Sequence, residues 1–173
     1  NDARGGSSWV GQHTRDFSDL SVPALTDELR RRLSWTKRFV ELPKGRYETL
    51  VPPTAVADLL VDTYWYAGGR DAHEGRTVYS RPNGGTRVGE ALAPKGFSLR
   101  SDPHHPGLAI QPFLTAGASS DMISVFDNGI ELPATSWIDD GVLTALPHTR
   151  ASAATYGDAF TPYVDNLVAD GGG

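Results

Sequence analysis

Apolar positions change their spacing along this chain near residue 70. Before that point Leu25, Leu29 and Leu33 recur every fourth residue, the spacing that lines up one face of an α-helix. Ser21 precedes Val22-Pro23 as an N-cap followed by a first-turn proline. Asp27 and Glu28 come early, and Arg30 to Arg32 and Lys37 come late, the order the helix dipole favours. Together these features predict a helix over 23–38, with the triple arginine as its solvated end. Phe39–Leu42 and Arg46–Val51 read as short strands about the turn Pro43-Lys44-Gly45. Pro52-Pro53-Thr54 opens a second helix, with Thr54 as its cap. Ala55, Val56, Leu59, Leu60 and Thr63 leave it few polar positions, which predicts a largely buried helix stopping near Gly68-Gly69.

From Arg70 onward short apolar runs alternate with turn signals. Thr77-Val78-Tyr79 precedes Pro82-Asn83-Gly84-Gly85, and Phe97-Ser98-Leu99 precedes the Asp102-to-Gly107 loop. Ile123–Phe126 and Ile130–Leu132 flank Asp127-Asn128-Gly129, while Ser136-Trp137-Ile138 and Val142–Leu146 flank Asp139-Asp140-Gly141. Asn-Gly or Asp-Gly between apolar runs marks a hairpin. The predicted fold class is therefore α+β, two helices followed by an antiparallel, hairpin-rich mixed sheet. Residues 1–44 form a leading segment that carries the first helix, and 45–173 form the main domain.

Composition narrows the partners. The net charge is −5, which argues against nucleic acid, since phosphate binding needs clustered positive charge. Cysteine is absent, excluding disulfides, thiolate ligands and cysteine nucleophiles and fitting a cytoplasmic location. No apolar run reaches the length that spans a bilayer. The chain begins at Asn1 and ends on three glycines, and both ends read as cuts through a longer protein.

Candidate chemistry is concentrated in two places. Asp71, His73, Glu74, Arg76 and Arg81 form a dense titratable stretch near Tyr64, Trp65, Tyr66 and Tyr79. His73-Glu74 has no second histidine one helical turn on, so it is not a zincin motif. It reads as a polar loop after the second helix, and as an acid/base candidate. Arg76, Tyr79, Arg81 and Asp102 are candidates for peptide contact, because an arginine fork suits carboxylates; an ion-pair network that braces the loop is the alternative. His104 and His105 lie between prolines, and adjacent residues in extended backbone point apart, which is poor geometry for one metal. Ser80, Ser119-Ser120 and Ser152 stand outside any nucleophile elbow. The glycines at 84, 85 and 89 end in Glu90 and make no phosphate loop. His148 receives no role.

The order of the pieces resembles the TldD/PmbA family over residues 45–170. Gly45-Arg46-Tyr47 is followed by Val51-Pro52-Pro53-Thr54-Ala55 and a helix. Then come Val78-Tyr79-Ser80, Gly85 with Val88-Gly89-Glu90, and Ser101-Asp102-Pro103. Asp127-Asn128-Gly129, Asp140-Gly141-Val142-Leu143, Thr149-Arg150-Ala151-Ser152-Ala153, Thr161-Pro162 and Asn166-Leu167 complete the series. The resemblance implies a central fragment, truncated on its C-terminal side, of an intracellular peptide-processing protein whose relatives were once called modulators of DNA gyrase. Catalytic members carry His-Glu-x-x-x-His on the second helix. The matching stretch here, Leu60 to Tyr66, offers Val61, Asp62, Trp65 and Tyr66 and no histidine. It therefore implies a PmbA-like, non-metal-binding chain without a cofactor of its own. Zinc would come only through a TldD-like catalytic partner, in a homodimer or heterodimer acting on peptides. A peptide-binding scaffold without catalysis, and a hydrolase with a nonstandard site at His73 and Glu74, are the alternatives.

Overall fold

In the computed structural model, which describes residues 5–12, 14, 16–38 and 40–171, the chain divides into two units, Asn1–Thr49 and Leu50–Gly173. The first unit is built on helix α1, Val22–Trp35. Ser21 caps it as predicted, its hydroxyl accepting from the Ala24 amide at 3.4 Å. The arginines fold back on the helix's own acids: Arg30 onto Asp27 at 3.0 Å, and Arg31 and Arg32 onto Glu28 at 2.6 and 2.7 Å. These are exposed neighbours three and four residues apart, pairs that contribute only tenths of a kcal/mol each. No α1 residue is buried, so its leucine stripe is only half covered. Residues 40–42 and 46–51 form no strand. Phe39, the first residue of the predicted strand, lies outside the described residues.

Among its described residues the second unit contains three α-helices, one 3₁₀ turn and one sheet. Helix α2 spans Pro53–Trp65 and begins on Pro52, not Thr54, with proline at its first position. The expectation of a largely buried α2 fails, because Tyr64 alone is buried and Leu59 is 61% exposed. Apolar residues run all around α2, but only the Tyr64 side meets the core. α2 ends at Trp65, with Tyr66 as its C-cap, just before the predicted stop near Gly68-Gly69, and a short helix α3 follows, Gly69–His73, with Glu74 as its C-cap. The stretch predicted as a loop is therefore partly helical.

Four short strands form an antiparallel sheet in the order β3-β2-β1-β4. They are β1 (Ser98–Ser101), β2 (Thr135–Asp139), β3 (Val142–Leu143) and β4 (Val168–Asp170). The β2–β3 hairpin follows the Asp-Gly signal, with Asp140 and Gly141 at φ 47° and 83°, the positive angles a tight primed turn needs. The hairpin predicted about Asp127-Asn128-Gly129 does not form. Val125–Asp127 is a single 3₁₀ turn, and only one bridge, Phe113 with Glu131, joins that region. The reason is a tertiary contact: the Asp127 carboxylate leaves the turn to accept from the Arg150 amide at 3.1 Å and from its guanidinium at 2.7 Å. Helix α4, Arg150–Tyr156, starts on Thr149 and ends on left-handed Gly157.

The core gathers where Tyr64 of α2 meets Trp137 of β2. Tyr64 stacks on Tyr163 at 4.8 Å and meets Trp137 at 5.2 Å. Leu99, Leu114, Leu143, Leu146 and Val164 fill the space around them, each fully buried aliphatic contributing roughly 1.5–3 kcal/mol. The polar atoms of this aromatic cluster are paired. Tyr64 exchanges hydrogen bonds with the Val164 backbone at 3.2 and 3.1 Å, and the Trp137 indole donates to Ser101 Oγ at 2.8 Å. Burial drives the Tyr64 phenol far above its ordinary pKa, so it stays neutral.

Candidate functional site

Three connections bring distant residues together. The Gly69 amide donates to the Pro147 carbonyl at 2.8 Å, tying the start of α3 to the segment leaving β3. The His148 amide donates to the Thr161 carbonyl at 2.7 Å, which fixes that residue's backbone from the other side. At the end of α4, Gly157 (φ 77°) closes the helix with its amide on the Ala153 carbonyl at 2.9 Å. That left-handed turn, which glycine adopts without a Cβ penalty, sends Asp158 back towards α3.

The result is a carboxylate between two imidazoles. Asp158 Oδ2 lies 2.5 Å from His73 Nε2 and 3.2 Å from His148 Nε2. The three ligand-capable atoms all fall within 4.8 Å of one another. His148 is buried, His73 half-buried and Asp158 exposed. His73 is oriented by its ring stacking on Tyr156, with centroids 4.3 Å apart and planes 6° from parallel. The far side of the His148 ring contacts Ser152 Oγ through Nδ1 at 3.1 Å.

Electrostatics divide the site in two. Burial holds His148 below the ordinary imidazole pKa, against the pull of Asp158 and with a small push from His73. It is therefore neutral near pH 7. Glu74 is the opposite case. Arg70 at 3.0 Å, then the Tyr156 hydroxyl at 3.0 Å, hold its carboxyl below the usual range, with Arg76 adding at 2.7 Å. A carboxylate so held stays ionised and is a poor proton donor. Two clefts flank the cluster. One of about 180 Å³ is lined by His148, Asp158, Thr86, Val88 and Thr161. The other, of about 410 Å³, is lined by Arg70, Glu74, Asp121, Ser152 and Tyr156.

The structure gathers some of the predicted residues here and disperses the rest. His73 and Glu74 are in the site, and Arg76 braces it through Glu74 and Asp71. Tyr79 lies in the core, its hydroxyl donating to the Thr63 carbonyl at 3.2 Å. Arg81 pairs with Glu90 at 2.7 Å beside Arg87 at 2.9 Å, bracing its own loop. Asp102 shapes a turn: its carboxylate accepts from the His104 amide at 2.9 Å, and Asn166 holds its backbone at 3.1 and 2.7 Å. His148, Asp158 and Tyr156 were missed by sequence reasoning. They lie up to 85 residues from their partners, and no spacing rule links them. The one usable signal is Gly69, where an added Cβ would sit 1.9 Å from His148 Nε2, a close approach only glycine allows.

The unit is an α+β domain with an antiparallel four-stranded sheet and a histidine–carboxylate cluster. Residues 44–162 match the PmbA/TldA metallopeptidase C-terminal domain, and the chain belongs to the PmbA/TldD family. Its fold is similar to that of a protein from Bacteroides thetaiotaomicron VPI-5482 crystallised as a candidate modulator of DNA gyrase. The TM-score is 0.67 at 20% identity, over 89% of this chain and 32% of that one. The chain thus spans about a third of that relative's length. No curated protein matches it at the sequence level. No helix among the described residues is long and apolar enough to cross a membrane.

The metal that the family description implies finds no histidine on α2. The inward residue of that helix is Tyr64, whose ring and hydroxyl are used by Tyr163, Trp137 and Val164. Leu60 to Tyr66 offers one carboxylate, Asp62, and no histidine.

Proposed function

We propose that this chain is a PmbA-like peptide-handling module of a TldD/PmbA-type peptidase, one that does not carry hydrolysis on its second helix. The observation that carries this reading is the aromatic packing of α2, with Tyr64 locked between Trp137 and Tyr163 where catalytic relatives are expected to present ligands. The exposed apolar surface of α2 supports a subunit role. Leu59 is 61% and Trp65 60% exposed, and Val56, Leu60 and Val61 line an apolar cleft with Val51 and Leu167; an exposed apolar patch marks a surface covered by other protein. The outer edge of β4 has no strand beside it among the described residues, and an extended peptide adds to such an edge through its main chain. Zinc for hydrolysis then resides in a TldD-like catalytic partner.

A fluorogenic peptide library tests this reading, incubated with the chain alone, with a His-Glu-x-x-x-His-bearing family member, and with both. The expected result is no turnover by the chain alone, together with co-elution and altered turnover by the pair. Turnover by the chain alone, lost in His73→Gln, would instead establish a nonstandard hydrolytic site. That second reading is favoured by the contact of His73 with Asp158. An unaffected partner that never co-elutes with the chain refutes the subunit role.

A further inference from the structure

We propose that His73, His148 and Asp158 form a binding site for one divalent transition-metal ion of the zinc class, held by this chain's own residues. The donors come from the end of α3, the segment between β3 and α4, and the turn after α4. This departs from the expectation that the chain carries no metal of its own.

The back of the His148 ring is held in place. Ser152 Oγ contacts Nδ1 at 3.1 Å, and Ser152 is itself fixed by Thr149, whose carbonyl and Oγ1 each lie 3.2 Å from Ser152 Oγ. With its proton on Nδ1 and donated to Ser152 Oγ, the ring turns the Nε2 lone pair towards Asp158 Oδ2, 3.2 Å away, where one cation would be shared by both. An imidazole whose second nitrogen donates to a fixed oxygen is the usual arrangement of a metal ligand.

Geometry and donor type agree. Zinc ligands at about 2.0–2.2 Å from a tetrahedral centre lie roughly 3.3 Å apart, and the three atoms here are within 4.8 Å of one another. The His73–Asp158 pair, at 2.5 Å, has to open by less than ~1 Å. Asp158 follows a glycine turn and is exposed, so it is free to make that movement. Gly69 leaves the flank of His148 Nε2 without a side chain. Two imidazoles with one carboxylate suit zinc, cobalt(II) or iron(II) rather than calcium or magnesium. Three protein ligands leave a fourth position for water or a substrate oxygen, and the cleft of about 180 Å³ that His148 and Asp158 line provides room for it.

The test reads metal and not turnover, so it stands or falls apart from the peptidase reading. The 173-residue chain is stripped with chelator and titrated with Zn²⁺ by calorimetry, and with Co²⁺ by its visible ligand-field spectrum. The expected result is one equivalent bound, a four-coordinate Co²⁺ spectrum and a raised Tm. Asp158→Asn and His73→Gln, both on the accessible side, should weaken binding at least ~100-fold, and Ser152→Ala roughly 10–100-fold. Their far-ultraviolet circular dichroism should match the parent, which separates ligand loss from misfolding. A double substitution of His104 and His105 by Ala should leave affinity unchanged. The proposal is overturned if no stoichiometric binding occurs at micromolar metal, or if Asp158→Asn and His73→Gln bind as tightly as the parent. Either outcome would make the cluster a hydrogen-bonded His–Asp–His triad.

Discussion

Gly69→Ala is the sharpest probe of how the site is assembled. Gly69 opens α3, and a Cβ there would lie 1.9 Å from His148 Nε2 and 2.3 Å from Cε1. The ring cannot retreat freely, because Ser152 holds its other edge and Thr161 its backbone. Overpacking in such a setting costs about 1–3 kcal/mol. With unfolding entropy of about 2.1 cal/mol/K per residue, a unit of the size of 50–173 then loses roughly 4–12 °C of Tm. Gly75→Ala is the control. Gly75 has φ +77° and no atom within 4 Å of its virtual Cβ, so it meets only the left-handed backbone penalty of about 1 kcal/mol. The assay is differential scanning calorimetry on Gly69→Ala, His148→Ala and the double variant. Removing the ring should relieve the clash and give a coupling of about 1–2 kcal/mol. A parental Tm for Gly69→Ala, or strict additivity in the double variant, would refute the claim that α3 and His148 meet at this glycine.

Two further outcomes follow from buried and paired charges. Asp127→Ala should cost roughly 1.5–3 kcal/mol in urea denaturation, the range for hydrogen bonds to a charged group. It removes a buried carboxylate that accepts twice from Arg150, and a loss under ~0.5 kcal/mol would contradict that role. Glu90 bears on acid stability. Arg87, then Arg81, hold its carboxyl below the ordinary glutamate range, so the folded state binds its proton less readily than the unfolded chain. That contribution is present above the unfolded pKa and is lost as pH falls through the depressed folded value. Glu90→Gln should therefore flatten the fall in stability below pH ~4.5 without changing its slope near neutrality, as followed by thermal melts across pH.

Local chemistry alone determined several elements. Ser21 with Val22-Pro23 defines the start of α1, because the cap and the proline act within one turn. Asp140-Gly141 defines the β2–β3 turn, because positive φ is a property of those two residues. The order of short motifs pointed to the family, and the missing histidines on α2 were legible as letters. Other features depended on what lies nearby in space. Asp127-Asn128-Gly129 carries a hairpin signal, yet Asp127 is taken by Arg150, and a buried charge-assisted bond outweighs a turn preference. The apolar run of α2 reads as buried, yet only the side with Tyr64 and Leu60 meets the core, because periodicity cannot say whether a covering surface exists. His73 was visible as a candidate and His148 was not. A site made by three chain segments comes together only when folding closes an 85-residue separation. The sequence alone thus determined which residues had chemistry to offer, and the tertiary structure decided which of them would meet.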